Sequence, residues 1–364
     1  MSITVSRDRH HRYSVVASGE ALAPTGPLRR VLQEHTGEQL VVVDEALWPT
    51  YGPAIEALLA ESAHRILRLP AGEQNKTLDA TLRVVEAMDA CRIPRRSSPV
   101  LAIGGGVLCD LVGFAASIYR RGVPYIRVPT TLLAQVDVSA AIKTGVDHNG
   151  FRNRLGTFWP AALTVVDHGF LATQTSEQIS QGLGEVFKLA LIASEDLFAR
   201  LARLPADWSP QWFATSADAA ALMRQALELM VAELSDDLWE DNLARRVDFG
   251  HSFSPLIEMR TGLHHGHAVA LDCLLGASIA AGRGLLATET LPHIAAVMRR
   301  CALPVRHRAF EDVDELWTAL AEVVHHRDGA QHLPVPIDLG KHAFLEDLTR
   351  AELAAAVRRL RRAV

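Results

Sequence analysis

Cysteine is scarce in this sequence of 364 residues, which contains four, and no two of them form a C-x-x-C pair. Zinc ribbons and dithiol redox motifs need such pairs, and a disulfide framework needs a far higher density of thiols, so the sequence disfavours all three. Few, widely spaced thiols are typical of a reducing compartment. We therefore expect a cytoplasmic protein.

Long apolar runs and an excess of positive charge are also missing. No window approaches the roughly 18 uninterrupted apolar residues of a membrane span, and the N-terminus lacks a signal-peptide core. Lys and Arg total 37 against 42 for Asp and Glu, which gives a formal charge of −5. This balance disfavours nucleic acid and acidic membranes as partners.

Short apolar runs alternate with helical periodicity in the first half of the chain, which predicts a Rossmann-like parallel sheet. Strands are predicted at 39–43, 64–69, 99–103 and 125–128, and helices at 53–60 and 78–90. After about residue 170, segments rich in Ala and Leu predict helices at 217–234, 269–281, 291–300, 313–325 and 350–363. We therefore expect an α/β domain over residues 1–168 and an α-helical domain over residues 169–364.

Three loops follow predicted strands and carry groups suited to a nucleotide. Gly104-Gly105-Gly106 lies between a strand and a helix, where the backbone can approach a diphosphate at the helix N-terminus. The segments 70–76 and 129–132 follow two other strands. Each loop alone is most simply a turn, but ligands of such sheets bind at the carboxyl ends of the strands. Together the loops predict a nucleotide site.

The chain has 16 histidines, and a few of them lie in segments suited to a metal site. Glu185 and Lys188 are three apart in a helical stretch, where a surface ion pair is the simplest interpretation. His251 follows a glycine, and His265 lies in the segment His-His-Gly-His at 264–267. A carboxylate with two histidines is a common catalytic zinc set. Spacing alone does not show that these side chains converge.

Eight motifs occur in one order along the chain: GEQNK, GGGVLCDLVGF, YRRG, PTTLLAQVD, KTGVD, GLGEVFK, FGHSF and HHGHAVA. From Asp44 to about Asp338 the sequence resembles the dehydroquinate synthase superfamily of sugar phosphate cyclases. The resemblance implies an N-terminal Rossmann-like domain that binds NAD and a C-terminal α-helical domain that binds a metal and the substrate. It also implies a homodimer, in which Arg121 binds the substrate phosphate across the interface.

The resemblance also implies site residues. Those implied for NAD are Asp44, Glu73, Lys76, Gly105, Gly106, Val107, Asp110, Thr130, Thr131, Arg152, Phe170 and Thr173. The metal, zinc with cobalt as an alternative, is assigned to Glu185, His251 and His265, with His264 or His267 as substitutes for His265. The implied catalytic residues are Asp137, Lys143, Lys188 and Glu240. The implied substrate-binding residues are Arg121, Arg152, Asn153, Asp248 and His267.

Departures from the family pattern concern the substrate. Two cations that the family uses for a substrate carboxylate are replaced by Met230 and Ala244, and a family asparagine is Asp248. Pro255 stands where the family has a second histidine, and His267 where it has a glutamate. A pocket without those cations should reject an acidic substrate, because a buried carboxylate would stay unpaired. The pattern resembles the branch that acts on sedoheptulose 7-phosphate.

The expected reaction is therefore conversion of sedoheptulose 7-phosphate to a C7 cyclitol with release of phosphate. The expected product is 2-epi-5-epi-valiolone, with 2-epi-valiolone or desmethyl-4-deoxygadusol as alternatives. NAD would be reduced and reoxidised within one turnover, so the net reaction is an elimination of phosphate, and the enzyme would be a lyase. A metal-dependent polyol dehydrogenase that releases NADH and a non-catalytic binding protein are the two more distant alternatives.

Overall fold

The computed structural model describes residues 2–6, 11–35, 37–70, 72–242, 245–327 and 329–364. The chain divides into two compact units. The first contains residues up to 128 together with 142–146 and 156–166, and the second contains 129–141, 147–155 and 167–364. Segment 129–141 precedes the boundary expected at residue 168, yet it belongs to the second unit because Leu132, Val136 and Ala140 are buried in that unit's core.

The strands are, in chain order, β1 (Ser14–Ala17), β2 (Gln39–Asp44), β3 (His64–Leu69), β4 (Val100–Gly104), β5 (Tyr125–Pro129), β6 (Lys143–His148), β7 (Phe151–Phe158), β8 (Leu163–Val166), β9 (Leu333–Asp338) and β10 (Lys341–Leu345).

The helices are α1 (Pro27–Gln33), α2 (Trp48–Leu59), α3 (Leu78–Ala90), α4 (Gly106–Ile118), α5 (Ser176–Ala193), α6 (Glu195–Ala202), α7 (Pro210–Thr215), α8 (Ala217–Ser235), α9 (Ser254–Thr261), α10 (His265–Gly282), α11 (Thr290–Arg300), α12 (Val313–His326) and α13 (Arg350–Ala363). Among the described helices, none combines the length and the apolar character needed to cross a membrane.

A six-stranded sheet with the order β1-β8-β5-β4-β2-β3 forms the centre of the first unit. Strand β2 pairs in parallel with β3 on one side and β4 on the other. Its residues Val41, Val42 and Val43 are fully buried, as expected for a strand covered on both faces. The order reverses between β2 and β4, because β3 lies on one side of β2 and β4 on the other. Ligands of open α/β sheets bind at such a reversal.

The second unit is mainly helical and is organised around α5 and α10, most of whose residues are buried. Both helices pack into one large apolar core with α6, α8, α11 and α13. The antiparallel pair β9 and β10 also belongs to this unit, for which an α-helical domain was predicted. An α/β fold with a Rossmann-like sheet and a helical second part is confirmed.

Candidate metal centre and nucleotide-binding edge

The carboxyl edge of the sheet in the first unit brings several predicted nucleotide ligands together. Asp44 ends β2, and Gly104 ends β4 beside it: a Cβ on Gly104 would lie 3.2 Å from that of Asp44. The helix α4 begins at Gly106 without a side-chain cap, so its first N–H groups are available to an anion. This edge therefore has the features of a dinucleotide site.

Two further predicted nucleotide residues form an ion pair in this unit. Lys76 follows β3, and its Nζ lies 2.6 Å from Asp110 Oδ2 on α4, with Lys76 buried. Glu73 begins the short turn that precedes Lys76. The remaining predicted cofactor residues lie in the second unit: Thr130, Thr131, Arg152, Phe170 and Thr173. Thr131 accepts a hydrogen bond from Ala134 N through its hydroxyl.

In the second unit, the predicted metal ligands lie together. Glu185 is on α5, His251 precedes α9, and His265 is the first residue of α10. One ligand atom from each lies within 4.8 Å of the others. Glu185 Oε1 is 3.1 Å from His265 Nε2 and 3.8 Å from His251 Nε2. Three elements, spread over 80 residues of sequence, thus direct one carboxylate and two imidazoles to a common point.

Close packing of α5 on α10 places Glu185 opposite His265. A Cβ on Gly184 would lie 2.1 Å from the carbonyl oxygen of Gly266, and one on Gly266 would lie 1.8 Å from that of Gln181. Both contacts are with backbone, which cannot move aside as a side chain can. Gly184 of the GLGE motif and Gly266 of the HHGH motif are therefore required by the helix contact.

Hydrogen bonds on the far side of each ring orient the two histidines. His251 Nδ1 lies 3.2 Å from the carbonyl oxygen of Phe249, and His265 Nδ1 lies 3.1 Å from Glu258 Oε1. Glu258 in turn forms an ion pair with Arg152. In both rings Nε2 is thus the nitrogen that faces Glu185.

Electrostatics in the cluster suit a cation. Burial opposes ionisation of Glu185, but Lys188 and the two histidines outweigh it and hold its pKa well below the usual range. Burial and the charge of Lys188 lower the pKa of His251 to about 4, so this imidazole is neutral. The pKa of His265 is raised to about 10, because Glu258 and Glu185 outweigh its burial. A metal ion would replace the proton that His265 carries between two carboxylates. One carboxylate and two imidazole nitrogens are donors that zinc accepts.

Lys188 lies beside this cluster, one helical turn after Glu185. Its Nζ is 2.5 Å from Glu185 Oε2, and both side chains are buried, so the pair is not the surface ion pair that spacing alone suggested. Burial opposes the ammonium form, but Glu185 and Asp137 outweigh it and raise the pKa of Lys188. Asp137 lies in a π-helical turn at 134–138. The structure therefore places two predicted catalytic residues near the predicted metal ligands.

His264 and His267 lie outside the group of three. His267 Nε2 is 3.2 Å from the hydroxyl of Ser180, and His264 Nε2 is 3.4 Å from Glu177 Oε1. The cluster found among the described residues includes neither of them.

Two predicted residues, Glu240 and Asp248, belong to a network of ion pairs with arginines. Arg245 contacts Glu240, and its Nη2 lies 2.7 Å from Asp248 Oδ1. Arg327 Nη2 lies 2.8 Å from the other oxygen of Asp248. Two guanidinium groups thus balance the charge of Asp248, which the sequence analysis treated as an added negative charge. Neither arginine was predicted.

The other predicted residues are placed as follows. Arg121 ends the turn after α4, and Lys143 begins β6; both belong to the first unit. Asn153 is on β7 in the second unit, and its backbone N–H donates to Asp147 Oδ1 at 2.8 Å. Met230 is buried on α8. Ala244 lies outside the described residues.

Two acidic residues that contact the metal-ligand region were not predicted from the sequence. Glu258 contacts His265, and Asp272 is buried on α10. Asp272 Oδ2 accepts the backbone N–H groups of Phe253 and Ser254 at 2.6 and 2.8 Å, which fixes the segment after His251. Burial raises the pKa of Asp272 to about 7. Both acids stand among apolar residues in sequence, which is the one signal that could have singled them out.

Comparison with known proteins identifies the family. Residues 66–181 match the 3-dehydroquinate synthase N-terminal domain, and residues 182–324 match the C-terminal domain. The chain belongs to the 3-dehydroquinate synthase family. This family member is 41% identical to 2-epi-5-epi-valiolone synthase of Streptomyces hygroscopicus subsp. jinggangensis, over 97% of this chain and 88% of that one. It is 33% identical to 2-epi-valiolone synthase of Actinosynnema mirum, over 99% and 94% of the two chains.

A solved structure extends the likeness to the fold. ValA, the 2-epi-5-epi-valiolone synthase of Streptomyces hygroscopicus subsp. jinggangensis 5008, was solved with NAD⁺ and Zn²⁺ bound. It superposes on this member of the family with a TM-score of 0.93, at 40% identity over 99% of each chain. The resemblance on which the sequence analysis relied is confirmed, and so is the dehydroquinate synthase-like fold.

Proposed function

We propose that this family member converts sedoheptulose 7-phosphate to 2-epi-5-epi-valiolone and phosphate. The reaction proceeds by transient oxidation, β-elimination of phosphate, re-reduction and intramolecular aldol cyclisation, which makes the enzyme a carbon–oxygen lyase. The observation that carries this proposal is the 41% identity, over 97% of the chain, to an enzyme of that name. The relative named for 2-epi-valiolone is more distant, at 33% identity.

Glu185, His251 and His265 fit a catalytic zinc ion. Their ligand atoms converge within 4.8 Å, and Nε2 of each histidine faces the carboxylate. Three protein ligands leave a position for substrate oxygens. When bound, zinc would stabilise negative charge on those oxygens, and NAD would accept and return a hydride. Cobalt suits the same donors.

The first unit fits the dinucleotide. Asp44 and the glycines before α4 lie at the reversal of strand order, where NAD-binding folds hold the cofactor. An acidic residue at the end of a strand is suited to ribose hydroxyls, and the uncapped N–H groups of α4 are suited to the pyrophosphate. Glu73, Lys76 and Asp110 complete the set that we assign to this cofactor.

Chain residues supply the proton and phosphate chemistry. Lys188 carries its proton on Nζ next to Glu185, which allows it to donate to an oxygen that gains negative charge. We assign phosphate binding to the cations Arg121, Lys143 and Arg152 with Asn153, because charged donors bind a phosphate dianion most strongly. The released phosphate takes the proton removed during elimination.

Selection against acidic substrates rests on charge. Met230 is buried and apolar where dehydroquinate synthases have a cation, and Arg245 and Arg327 are already paired with Asp248. Met230 offers a substrate carboxylate no charge, and the charges of both arginines are already offset by Asp248, so the desolvation of that carboxylate would be costly.

The test uses purified protein with sedoheptulose 7-phosphate, NAD⁺ and Zn²⁺. We expect phosphate release matched by one cyclitol with the NMR spectrum of 2-epi-5-epi-valiolone, and no net NADH. Glu185→Gln should abolish release, since it removes a ligand charge, and chelation of zinc should do the same. Absence of phosphate release, or equal turnover of an acidic heptulosonate phosphate, would overturn the proposal. Net NADH would favour a polyol dehydrogenase instead.

A further inference from the structure

One buried carboxylate near the proposed zinc site has no role in the function described above. Glu258 is on α9, and its side chain is 2% exposed. Both of its oxygens face the ring of His265, with Oε1 and Oε2 at 3.1 and 3.2 Å from Nδ1. A buried carboxylate is costly unless it is paired and hydrogen-bonded. The contacts of Glu258 with His265 and Arg152 therefore indicate its role.

The position of Glu258 decides which nitrogen of His265 is available. A neutral imidazole carries one N–H and one lone pair, and a carboxylate accepts but does not donate. Nδ1 must therefore carry the hydrogen that faces Glu258, which leaves the lone pair on Nε2. Nε2 is the nitrogen that lies 3.1 Å from Glu185 Oε1. When a metal ion replaces the Nε2 proton, the ring therefore presents its lone pair toward the other two proposed ligands.

The two histidines differ in this outer contact. His251 Nδ1 faces the neutral carbonyl oxygen of Phe249, whereas His265 Nδ1 faces a carboxylate. A carboxylate partner makes an imidazole a stronger donor to a metal than a carbonyl does. The difference predicts that His265 is the more tightly bound of the two histidines.

Arg152 makes this arrangement possible. Its Nη1 contacts Glu258 Oε2, and it reaches Glu258 from β7. Two buried carboxylates flank the His265 ring, and each is paired with a cation: Glu185 with Lys188, and Glu258 with Arg152. The guanidinium offsets the charge of the outer carboxylate and holds Glu258 against the His265 ring.

We propose that Glu258 is a positioning residue that fixes the Nδ1–H tautomer and the orientation of His265, and that Arg152 holds Glu258 in place. This inference rests on the metal site of the proposed function. It adds a chain of contacts, Arg152 to Glu258 to His265, behind one ligand.

The test measures zinc affinity by competition with a chromophoric chelator and the tautomer of His265 by ¹⁵N NMR of histidine-labelled protein. Glu258→Gln should weaken zinc binding by about 10- to 100-fold. Glu322→Gln, on the exposed face of α12, is the matched control and should leave the affinity unchanged. Wild-type protein with zinc should show a protonated Nδ1 on His265.

A second variant separates positioning from loss of fold. Arg152→Gln should weaken zinc binding less than Glu258→Gln, and the double variant should lose little more than Glu258→Gln alone, because the two residues act through one contact. If Glu258→Gln binds zinc with near-wild-type affinity, or if zinc binds Nδ1 of His265, the inference is wrong, and the proposed cyclase activity is unaffected. If zinc binding depends on Glu258 but the wild type forms no cyclitol, only the proposed function is wrong. No zinc binding by the wild type would overturn both.

Discussion

Lys188 shows how burial changes the meaning of a common sequence pattern. A lysine three residues after a glutamate on a helix is usually a solvated pair that contributes little. Here α5 is covered on nearly all sides, so both charges are inside the protein. Burying two charges costs desolvation free energy. The proposed catalytic role of Lys188 and Glu185 explains why the pair is nevertheless kept inside the protein.

We predict that Lys188→Met lowers kcat for phosphate release by about 100-fold or more, the usual loss when a proton donor is removed. Methionine has a similar length and fills the space without a charge. Zinc should still bind, because the three proposed ligands remain, and chelator competition checks this. Lys341→Met is the control, since Lys341 is 67% exposed and pairs with the exposed Asp338. A loss of less than about tenfold would contradict the role of Lys188.

Residue types near the metal site could be predicted, whereas their partners could not. His251 and His265 were identified because family motifs contain them. Glu258 was not identified. It lies seven residues before His265, and that spacing does not show that the end of α9 and the start of α10 face each other. The same holds for Arg327, which is far in sequence from Asp248 but lies 2.8 Å from it. Tertiary contacts of this kind leave no periodic signal.

At the scale of elements, the crossing of α5 and α10 sets the geometry of the site. The two helices approach so closely that their glycines face backbone atoms. Helix propensity alone would favour alanine at Gly184 and Gly266, since glycine weakens a helix. Glycine is nevertheless found at both positions, because only glycine allows the two helices to approach this closely. The close approach brings Glu185 Oε1 to 3.1 Å from His265 Nε2.

We predict that Gly184→Ala destabilises the protein by about 1–3 kcal/mol, the usual cost of overpacking a core. The new methyl would lie 2.1 Å from the carbonyl oxygen of Gly266, so the helices must separate. Zinc affinity should fall with stability, because Glu185 moves away from His265. Thermal unfolding and chelator competition measure the two effects. Gly19→Ala is the control, as a Cβ there meets nothing within 4 Å. Unchanged unfolding and zinc binding in Gly184→Ala would refute this account.

Elements with a clear hydrophobic pattern were predictable from sequence, whereas very short strands and a strand with prolines were not. The predicted bounds of β3, α3 and α13 agree with the structure. Strands β1 and β8 have four residues each, too few for a pattern to emerge. Strand β9 contains Pro334 and Pro336, which usually argue against a strand. Within the described part of the chain it pairs only with β10, and an edge strand tolerates proline.

At the scale of the whole molecule, the order of the motifs predicted the family, which no single motif did. The glycine loop after β4 does not match the usual dinucleotide fingerprint, and the histidine segment left three possible ligands open. Eight motifs in one order indicated a family, and the family then indicated how each motif is used. The product cannot be inferred in this way, because the fold of the substrate before ring closure depends on small differences in position.

The turn after α4 contains Arg121, which the family resemblance assigns to a subunit interface. Arg120 and Arg121 have φ values of 49° and 63°, in the left-handed region that non-glycine residues rarely adopt. Two exposed arginines in succession hold this strained conformation, and strain of this kind is concentrated at functional sites. We propose that the protein is a homodimer in which Arg121 binds the substrate phosphate of the partner subunit.

Mixing two inactive variants tests this proposal. Arg121→Ala should lose phosphate binding and Glu185→Ala should lose the metal, so each homodimer is inactive. If Arg121 acts across the interface, a mixed dimer has one complete site, and an equal mixture should regain about a quarter of wild-type activity. Light scattering should give about twice the chain mass of 39.7 kDa for every variant. A mixture that stays inactive after subunit exchange, verified by differently tagged chains, would mean that Arg121 serves its own subunit. A monomeric mass would refute the dimer itself.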